Sequence, residues 1–340
     1  MHFGPTAAQE ELRARVRALF AELSPSAKVR RLMDTATGFD PDVWAALDGH
    51  DLLGLGWLDL SVVLEEAGRV LLCAPYLATV TAAPFVPEDA GGCVTTLALA
   101  EATGRWDDAG VTTRAVSSPG AGWRLEGEKS YVVDGCVADR LVVAARRDGG
   151  EVGLFLVDGG APGLDRRPLD TVDRTRKQAA LTLAATPARP VPGTLDAAVD
   201  LCAVALAAEQ VGGAQRCLEA AVDHAQRRVQ FGRPIGSFQA VKHLCAEMLL
   251  EVESARSAAF YAAAAAAGGD PELPAAAAVA KACCSDAYVR VATDSLHVHG
   301  GLGFTWDHDA HLYFKRARSS RLLFGGPDHH RERLAGHLGL

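Results

Sequence analysis

From Leu201 to about Leu323, apolar side chains return every third or fourth residue, and this periodicity constrains the chain more than any other feature. Leu201, Val204, Ala208, Val211, Leu218, Val222, Ala225 and Val229 form one stripe, with Gln215 its polar interruption. Phe238, Val241, Cys245, Met248, Val252, Ala255 and Ala259 form the next. Apolar residues at that spacing line one face of an α-helix. A third helix is expected from about Pro274 to His297 and a fourth from about Asp307 to Leu323. Long amphipathic helices joined by short loops become antiparallel neighbours, so residues 193–340 read as a four-helix bundle. Alanine is abundant there, which favours helix.

The remaining chain divides by pattern. Residues 1–92 read as an N-terminal helical domain, with Leu12, Val16, Leu19, Phe20 and Leu23 as one stripe. Leu60, Val63, Leu64, Ala67 and Leu71 form a second, and Pro75 marks its end. Residues 93–192 read as a middle β-barrel-like domain. Trp123–Lys129 and Tyr131–Val133 look like a hairpin. Leu141–Ala145, Leu154–Val157 and Ala180–Leu183 are short strand-like runs set apart by Gly, Pro and Asp. Pro187, Pro190 and Pro192 read as a linker into the bundle. The fold class expected is α+β. No GxGxxG follows a strand, so a parallel dinucleotide-binding sheet is not expected.

Charge and cysteine usage exclude several functions. The chain has 340 residues, 49% of them hydrophobic, and a net charge of −8. A nucleic-acid partner would call for a basic face. No apolar run reaches the roughly 18 residues of a membrane span, and the N-terminus is too polar for a secretory signal. The eight cysteines contain no CxxC, and Cys283 and Cys284 are adjacent, a poor geometry for a disulfide. Free thiols and a cytoplasmic protein are expected.

Two segments carry candidate chemistry. The first is Arg228-Val-Gln-Phe-Gly-Arg-Pro-Ile-Gly-Ser-Phe-Gln239, a loop between two bundle helices. Its guanidinium, two amides and backbone N–H groups suit a pyrophosphate and an adenosine. The same residues would also serve as a plain glycine-rich turn with a surface arginine. The second is His297-Val-His-Gly-Gly-Leu-Gly-Phe304, where glycines let a backbone approach a ligand or cap a helix. The histidine-rich tail lacks the HExxH spacing of a zinc site.

The first segment resembles the RxQFGxPIxxFQ signature of acyl-CoA dehydrogenases, and the second resembles that family's QxxGGxGF segment. The order of helical, β and bundle regions is similar over essentially the whole chain. The resemblance implies FAD as cofactor, an acyl-CoA substrate and an electron-transfer flavoprotein as acceptor. It implies that a glutamate removes the α-proton while the β-hydride passes to the flavin. It places Arg228, Gln230, Phe231 and Gln239 on the pyrophosphate and adenosine half of a neighbouring subunit's FAD. His297, Gly300 and Gly301 would lie beside the same cofactor.

The chain departs from the family where the base should be. The family's RxxRIYEGTSxIQR stretch reads here Arg318-Ser-Ser-Arg321-Leu-Leu-Phe-Gly-Gly-Pro-Asp-His-His-Arg331, which puts Phe324 at the glutamate. The alternative base position on the first bundle helix falls near Cys202, with Glu209 two turns further along. The flavin-facing TEPxxGSD corresponds to Leu99–Arg105. KxWITNG reads Lys129–Gly135, leaving Tyr131 to stack on a flavin and Val133 where a hydroxyl donor would sit. Retention of one half-site and loss of the other imply a heterotetramer, in which a homologous catalytic subunit supplies the glutamate. Bulky thioesters such as steroid side chains are the candidate substrates. A self-sufficient flavoenzyme (a dehydrogenase with Glu209 as base, or a monooxygenase) and a non-enzymatic stabilising subunit are the alternatives.

Overall fold

The computed structural model describes residues 4–86, 92–118 and 122–340. Five helices come first: α1 (Ala7–Leu23), α2 (Ser26–Leu32), α3 (Pro41–Gly49), α4 (Trp57–Arg69) and α5 (Tyr76–Ala82). Seven strands follow: β1 (Thr95–Ala98), β2 (Arg114–Ser118), β3 (Gly122–Val133), β4 (Arg140–Arg147), β5 (Val152–Asp158), β6 (Leu164–Pro168) and β7 (Gln178–Val191). The remainder is α6 (Leu195–Arg227), the short strands β8 (Val229–Gln230) and β9 (Arg233–Pro234), α7 (Gln239–Gly268), α8 (Leu273–His299), α9 (Ala310–Leu322) and α10 (Pro327–His337). Two compact units result. One holds residues 1–30, 56–72 and 203–340, and the other holds 31–55 and 73–202. The N-terminal helices are thus shared between units.

In the β unit the pairings β4–β2, β2–β3, β3–β7, β7–β5 and β5–β4 form a closed circuit, with β1 on β4 and β6 on β7. A closed circuit leaves no long open edge and gives the expected barrel-like form. Its strands carry buried apolar side chains, among them Leu141, Val143, Leu154, Phe155 and Leu181. Two expectations are corrected. Trp123–Val133 is one strand, not a hairpin. Its register against β7 shifts between Lys129 and Val132, where Tyr131 takes φ 60°. This is a bulge: one extra residue kinks the strand without ending it. Likewise Pro187 and Pro190 are not a linker. They lie inside β7, where the strand changes partner from β3 to β5.

The helical unit is built from α6 to α9 with α1 and α4 packed on it. Alanines make its centre: Ala203 and Ala207 of α6, Ala255, Ala259 and Ala262 of α7, and Ala277 and Ala280 of α8. Small side chains let helix axes close up. A Cβ on Gly212 would fall 1.7 Å from the Glu65 carbonyl oxygen, and one on Gly68 would fall 2.0 Å from that of Glu209. The α4–α6 crossing therefore admits only glycine. Two buried carboxylates nearby are paired: Glu65 meets Arg13 at 2.8 Å, and Glu66 meets the exposed Arg17 at 2.7 Å. A fifth C-terminal helix, α10, extends the expected four. Pro75 does not close α4 but precedes α5 as its N-cap. Helix α6 is long and apolar enough to cross a membrane, yet 89% of its most apolar window is buried in the protein. All eight cysteines are free.

Candidate cofactor half-site

The 228–239 segment folds as a minimal hairpin. The Arg228 N–H still donates to the His224 carbonyl at 2.8 Å, closing the last turn of α6. Strands β8 and β9 then pair through Val229–Pro234 and Gln230–Arg233. Between them Phe231 and Gly232 have φ 51° and 76°. Two left-handed residues match the twist of a two-residue turn, and glycine relieves the strain at the second. The Ile235 N–H returns to the Arg228 carbonyl at 2.8 Å, and α7 starts at Gln239. Phe231 is 93% exposed. It meets Phe238 edge-on, and the Arg233 guanidinium lies 4.1 Å over Phe238. Among the described residues no carboxylate pairs with Arg228. Arg228, Gln230, Phe231 and Gln239 are all exposed. A charged donor and an aromatic ring are held outward by a rigid turn.

The second segment ends α8. Gly300 takes φ 59° and stops the helix, and Gly300–Phe304 makes a 3-10 turn. A Cβ on Gly300 or Gly301 would meet no atom within 4 Å, so backbone is open there. His297 is exposed, 3.8 Å from Asp294. The two segments are linked through rings that sequence reasoning passed over. The ring of His224 of α6 packs on that of His299 at 4.6 Å with a 34° tilt, and His299 packs on His308 at 4.3 Å with a 44° tilt, a tilted stack of three. Burial first, then His299 and the Arg228 guanidinium, hold His224 below the usual imidazole range. Arg228 is therefore near this stack, and Gly300 directly follows it. The sequence signal was the spacing of His224 one helical turn before Arg228.

The segment aligned with the family's base is occupied by structure. Phe324 is 3% exposed with φ 58°, and its carbonyl accepts from His330 Nε2 at 2.9 Å. Lys281 is wholly buried. Its Nζ donates to the carbonyls of Ser320, Arg321 and Gly325 at 3.1, 3.2 and 3.0 Å and to Ser285 Oγ at 2.9 Å. Burial pulls its pKa down to about 7. Burial and the Lys281 charge drive His330 to about 3, so it stays neutral. Both alternative base positions are buried. Cys202 is fully buried, and burial pushes its thiol far above the thiolate range. Glu209 is buried against Arg316 at 2.8 Å.

The β-side residues are similarly committed. Glu101 accepts from the N–H groups of Thr112 and Thr113 at 2.8 Å and from Lys129 Nζ at 3.0 Å. Burial opposes its ionisation, but the Thr112 hydroxyl and Lys129 prevail and set its pKa at about 2. For Lys129 burial outweighs Glu101 and lowers it to about 8. Val133 is buried and offers no side-chain donor, while its carbonyl accepts from Thr96 Oγ1 at 2.6 Å. Tyr131 is about one-third exposed, with its hydroxyl 3.4 Å from the Ala102 carbonyl. Among the described residues no cluster of three metal-ligating side chains occurs.

An exposed hairpin between two long bundle helices follows a closed β unit along the chain, and the chain belongs to the acyl-CoA dehydrogenase family. Residues 96–184 match the family's middle domain and 196–339 its C-terminal domain. Among its relatives is acyl-CoA dehydrogenase IpdE2 of Mycobacterium tuberculosis, 35% identical over 95% of both chains. FadE34 of the same organism is 36% identical over 94% of this chain but only 46% of its own length. Two solved structures superpose with a TM-score of 0.90. One is the Tcur3481-Tcur3483 steroid ACAD variant, 32% identical over 98% of both chains. The other is the ChsE4-ChsE5 complex from M. tuberculosis, 29% identical over 100% of this chain and 99% of that one.

Proposed function

We propose that this chain is the FAD-gripping, base-less subunit of a heteromeric acyl-CoA dehydrogenase. One observation carries the reading: the position of the family's glutamate is a buried phenylalanine in a locked turn, while the Arg228 hairpin stands exposed without a partner of its own. A half-site with no cofactor partner on its own chain fits a cofactor seated on another. Arg228 would grip the pyrophosphate through charge-assisted bonds, with Gln230 and Gln239 as amide donors. Phe231 would cover the adenosine, and His297, Gly300 and Gly301 would let the cofactor lie against open backbone. The residues of this half fit FAD. Those of the β side do not, since Val133 lacks a donor and Glu101 is bound to Lys129.

FAD, when bound, accepts the β-hydride of the thioester. The α-proton must go to a carboxylate of the partner, because neither Phe324, Cys202 nor Glu209 can take it. Both superposing structures with paired names, one of them a steroid ACAD, support a two-chain assembly and a bulky acyl-CoA substrate. So does FadE34, which matches this chain with just under half its length and has room for a second such module. An electron-transferring flavoprotein of Acidaminococcus fermentans superposes at TM-score 0.88 with 26% identity. The electron acceptor is taken to be a flavoprotein of that kind, and the compartment to be the cytoplasm.

The test is co-expression with a homologous dehydrogenase chain, followed by flavin counting. One FAD per two chains is expected, and Arg228→Ala should strip it. One FAD per chain in this protein purified alone, with desaturation of an acyl-CoA, would overturn the reading.

A further inference from the structure

We propose that His224, His299 and His308 are positioning residues, an imidazole stack that holds the Arg228 hairpin and the Gly300–Gly301 turn in one arrangement for gripping the adenosine and pyrophosphate of FAD. The inference rests on the half-site reading above.

Each ring belongs to an element that ends in the half-site. His224 lies in the last turn of α6, and its own carbonyl accepts the Arg228 N–H. His299 is the final residue of α8, next to Gly300. His308 precedes α9 and closes the loop that follows Gly303. The stack is therefore a side-chain bridge between two segments of the described chain that pair with each other through no backbone hydrogen bond. Backbone bonds fix two tautomers. The Ser295 carbonyl can only accept, so His299 Nδ1 carries a hydrogen for their 2.7 Å bond. The Ala310 N–H can only donate, so His308 Nδ1 is unprotonated at 3.1 Å. Charging His308 on Nδ1 would cost that N-terminal contact of α9.

The surrounding charges make protonation costly. Arg216, Arg227 and Arg228 approach from α6, and Arg30 approaches from α2. The acids are Asp223, Asp307 and Asp309, with Asp294, which faces His297, on α8. Asp223 is bound to Arg227, and Asp309 to Arg30 at 2.6 Å. For His308, burial and then His299 lower the pKa, with Asp309 opposing and His224 and Arg216 adding. For His299 burial prevails over its bond to Ser295. All three imidazoles are thus harder to charge folded than unfolded. Their contribution is complete above the ordinary histidine value of about 6.5 and is lost as pH falls through the lower folded values. A cavity of about 420 Å³ beside the rings gives them room to separate.

The experiment uses the complex with its catalytic chain and follows FAD release by flavin fluorescence from about pH 8 to about pH 5. Wild type should release FAD about fivefold or more faster at the acid end. His224→Phe keeps a ring and removes a titrating group, so that ratio should shrink by about twofold or more. His224→Ala removes the ring and should speed release at every pH. Arg228→Ala separates the two readings. If it leaves release unchanged, the half-site reading fails and takes this one with it. If it speeds release while His224→Phe titrates like wild type, the stack proposal alone falls. Thermal unfolding of each variant controls for folding, and imidazole NMR of the full-length chain reports the tautomers directly.

Discussion

The Arg228 hairpin and the 320–325 turn lie in the same helical unit, and in the family they serve the same reaction, yet they have opposite fates. The hairpin shows its guanidinium, amides and aromatic ring to solvent and holds its shape mainly through backbone bonds, with the Phe231–Phe238 and Arg233–Phe238 contacts beside them. The turn spends its carbonyls internally: those of Ser320, Arg321 and Gly325 accept from Lys281 and that of Phe324 from His330, with Leu323 and Phe324 buried and Leu322 left outside. A surface built to meet another molecule keeps polar groups unspent. A surface that has stopped meeting one fills with internal partners, because buried polar groups without partners are costly. On the proposed reading the 320–325 turn is a structural clamp and not an active site awaiting one substitution.

Restoring the missing carboxylate is the sharpest way to break that comparison. Phe324→Glu puts an acid into a nearly dry site beside Lys281 and His330. A buried carboxylate without a designed partner should cost about 3–5 kcal/mol of stability, unless Lys281 abandons its three carbonyls to meet it. Denaturant unfolding would read the loss, and desaturation should stay absent in the chain alone. If the variant is stable and desaturates an acyl-CoA, the turn is still a working site and the contrast disappears.

Lys281→Met tests the clamp from the other side. Methionine fills the channel but leaves the carbonyls of Ser320, Arg321 and Gly325 without a donor. Relief of the cost of a buried cation offsets part of this, so a net loss of about 2–3 kcal/mol is expected. The lowered pKa adds a sign. Unfolded lysine holds its proton up to about 10.5, but the folded one only to about 7, so wild-type stability should rise as pH increases between those values. Lys281→Met should flatten that rise. Arg228→Ala is the complementary case. It should lower FAD content of the complex by about tenfold or more in affinity, yet move the unfolding free energy by less than about 0.5 kcal/mol.

The two regions were unequally legible in the sequence. The hairpin could be placed because its chemistry is local: a helix end, a turn glycine and a helix start within a dozen residues, all of which the structure keeps. The absence at Phe324 was readable for the same reason. What replaced the glutamate was not readable, because Lys281 reaches the turn from another helix some forty residues away, and no local pattern announces a lysine that buries itself. Glu101 and Lys129 were hidden likewise, as partners from the loop after β1 and from β3. The bulge at Tyr131 defeated strand counting because a single left-handed residue imitates a turn. The histidine stack lay in plain view as three residue types, but stacking is a property of where α6 and α8 end. The helical stripes succeeded because burial on a bundle repeats with the helix period itself.

The smallest expected effect concerns the hairpin's shape. Gly232 takes φ 76°, and a methyl group placed on its Cα would meet no atom within 4 Å, so crowding plays no part and only backbone strain opposes a side chain. Gly232→Ala should cost about 1 kcal/mol, all of it local to the turn. Because the turn bears on nothing buried, global unfolding should barely register the change, while FAD affinity of the complex should fall about threefold to fivefold as the hairpin samples other conformations. Gly232→Asn, a residue that accepts the left-handed region more readily, should recover part of that loss. Equal affinity for glycine and alanine at this position would mean that the cofactor is indifferent to the hairpin's geometry. The exposed half would then be ordinary surface, and only the buried half of the comparison would stand.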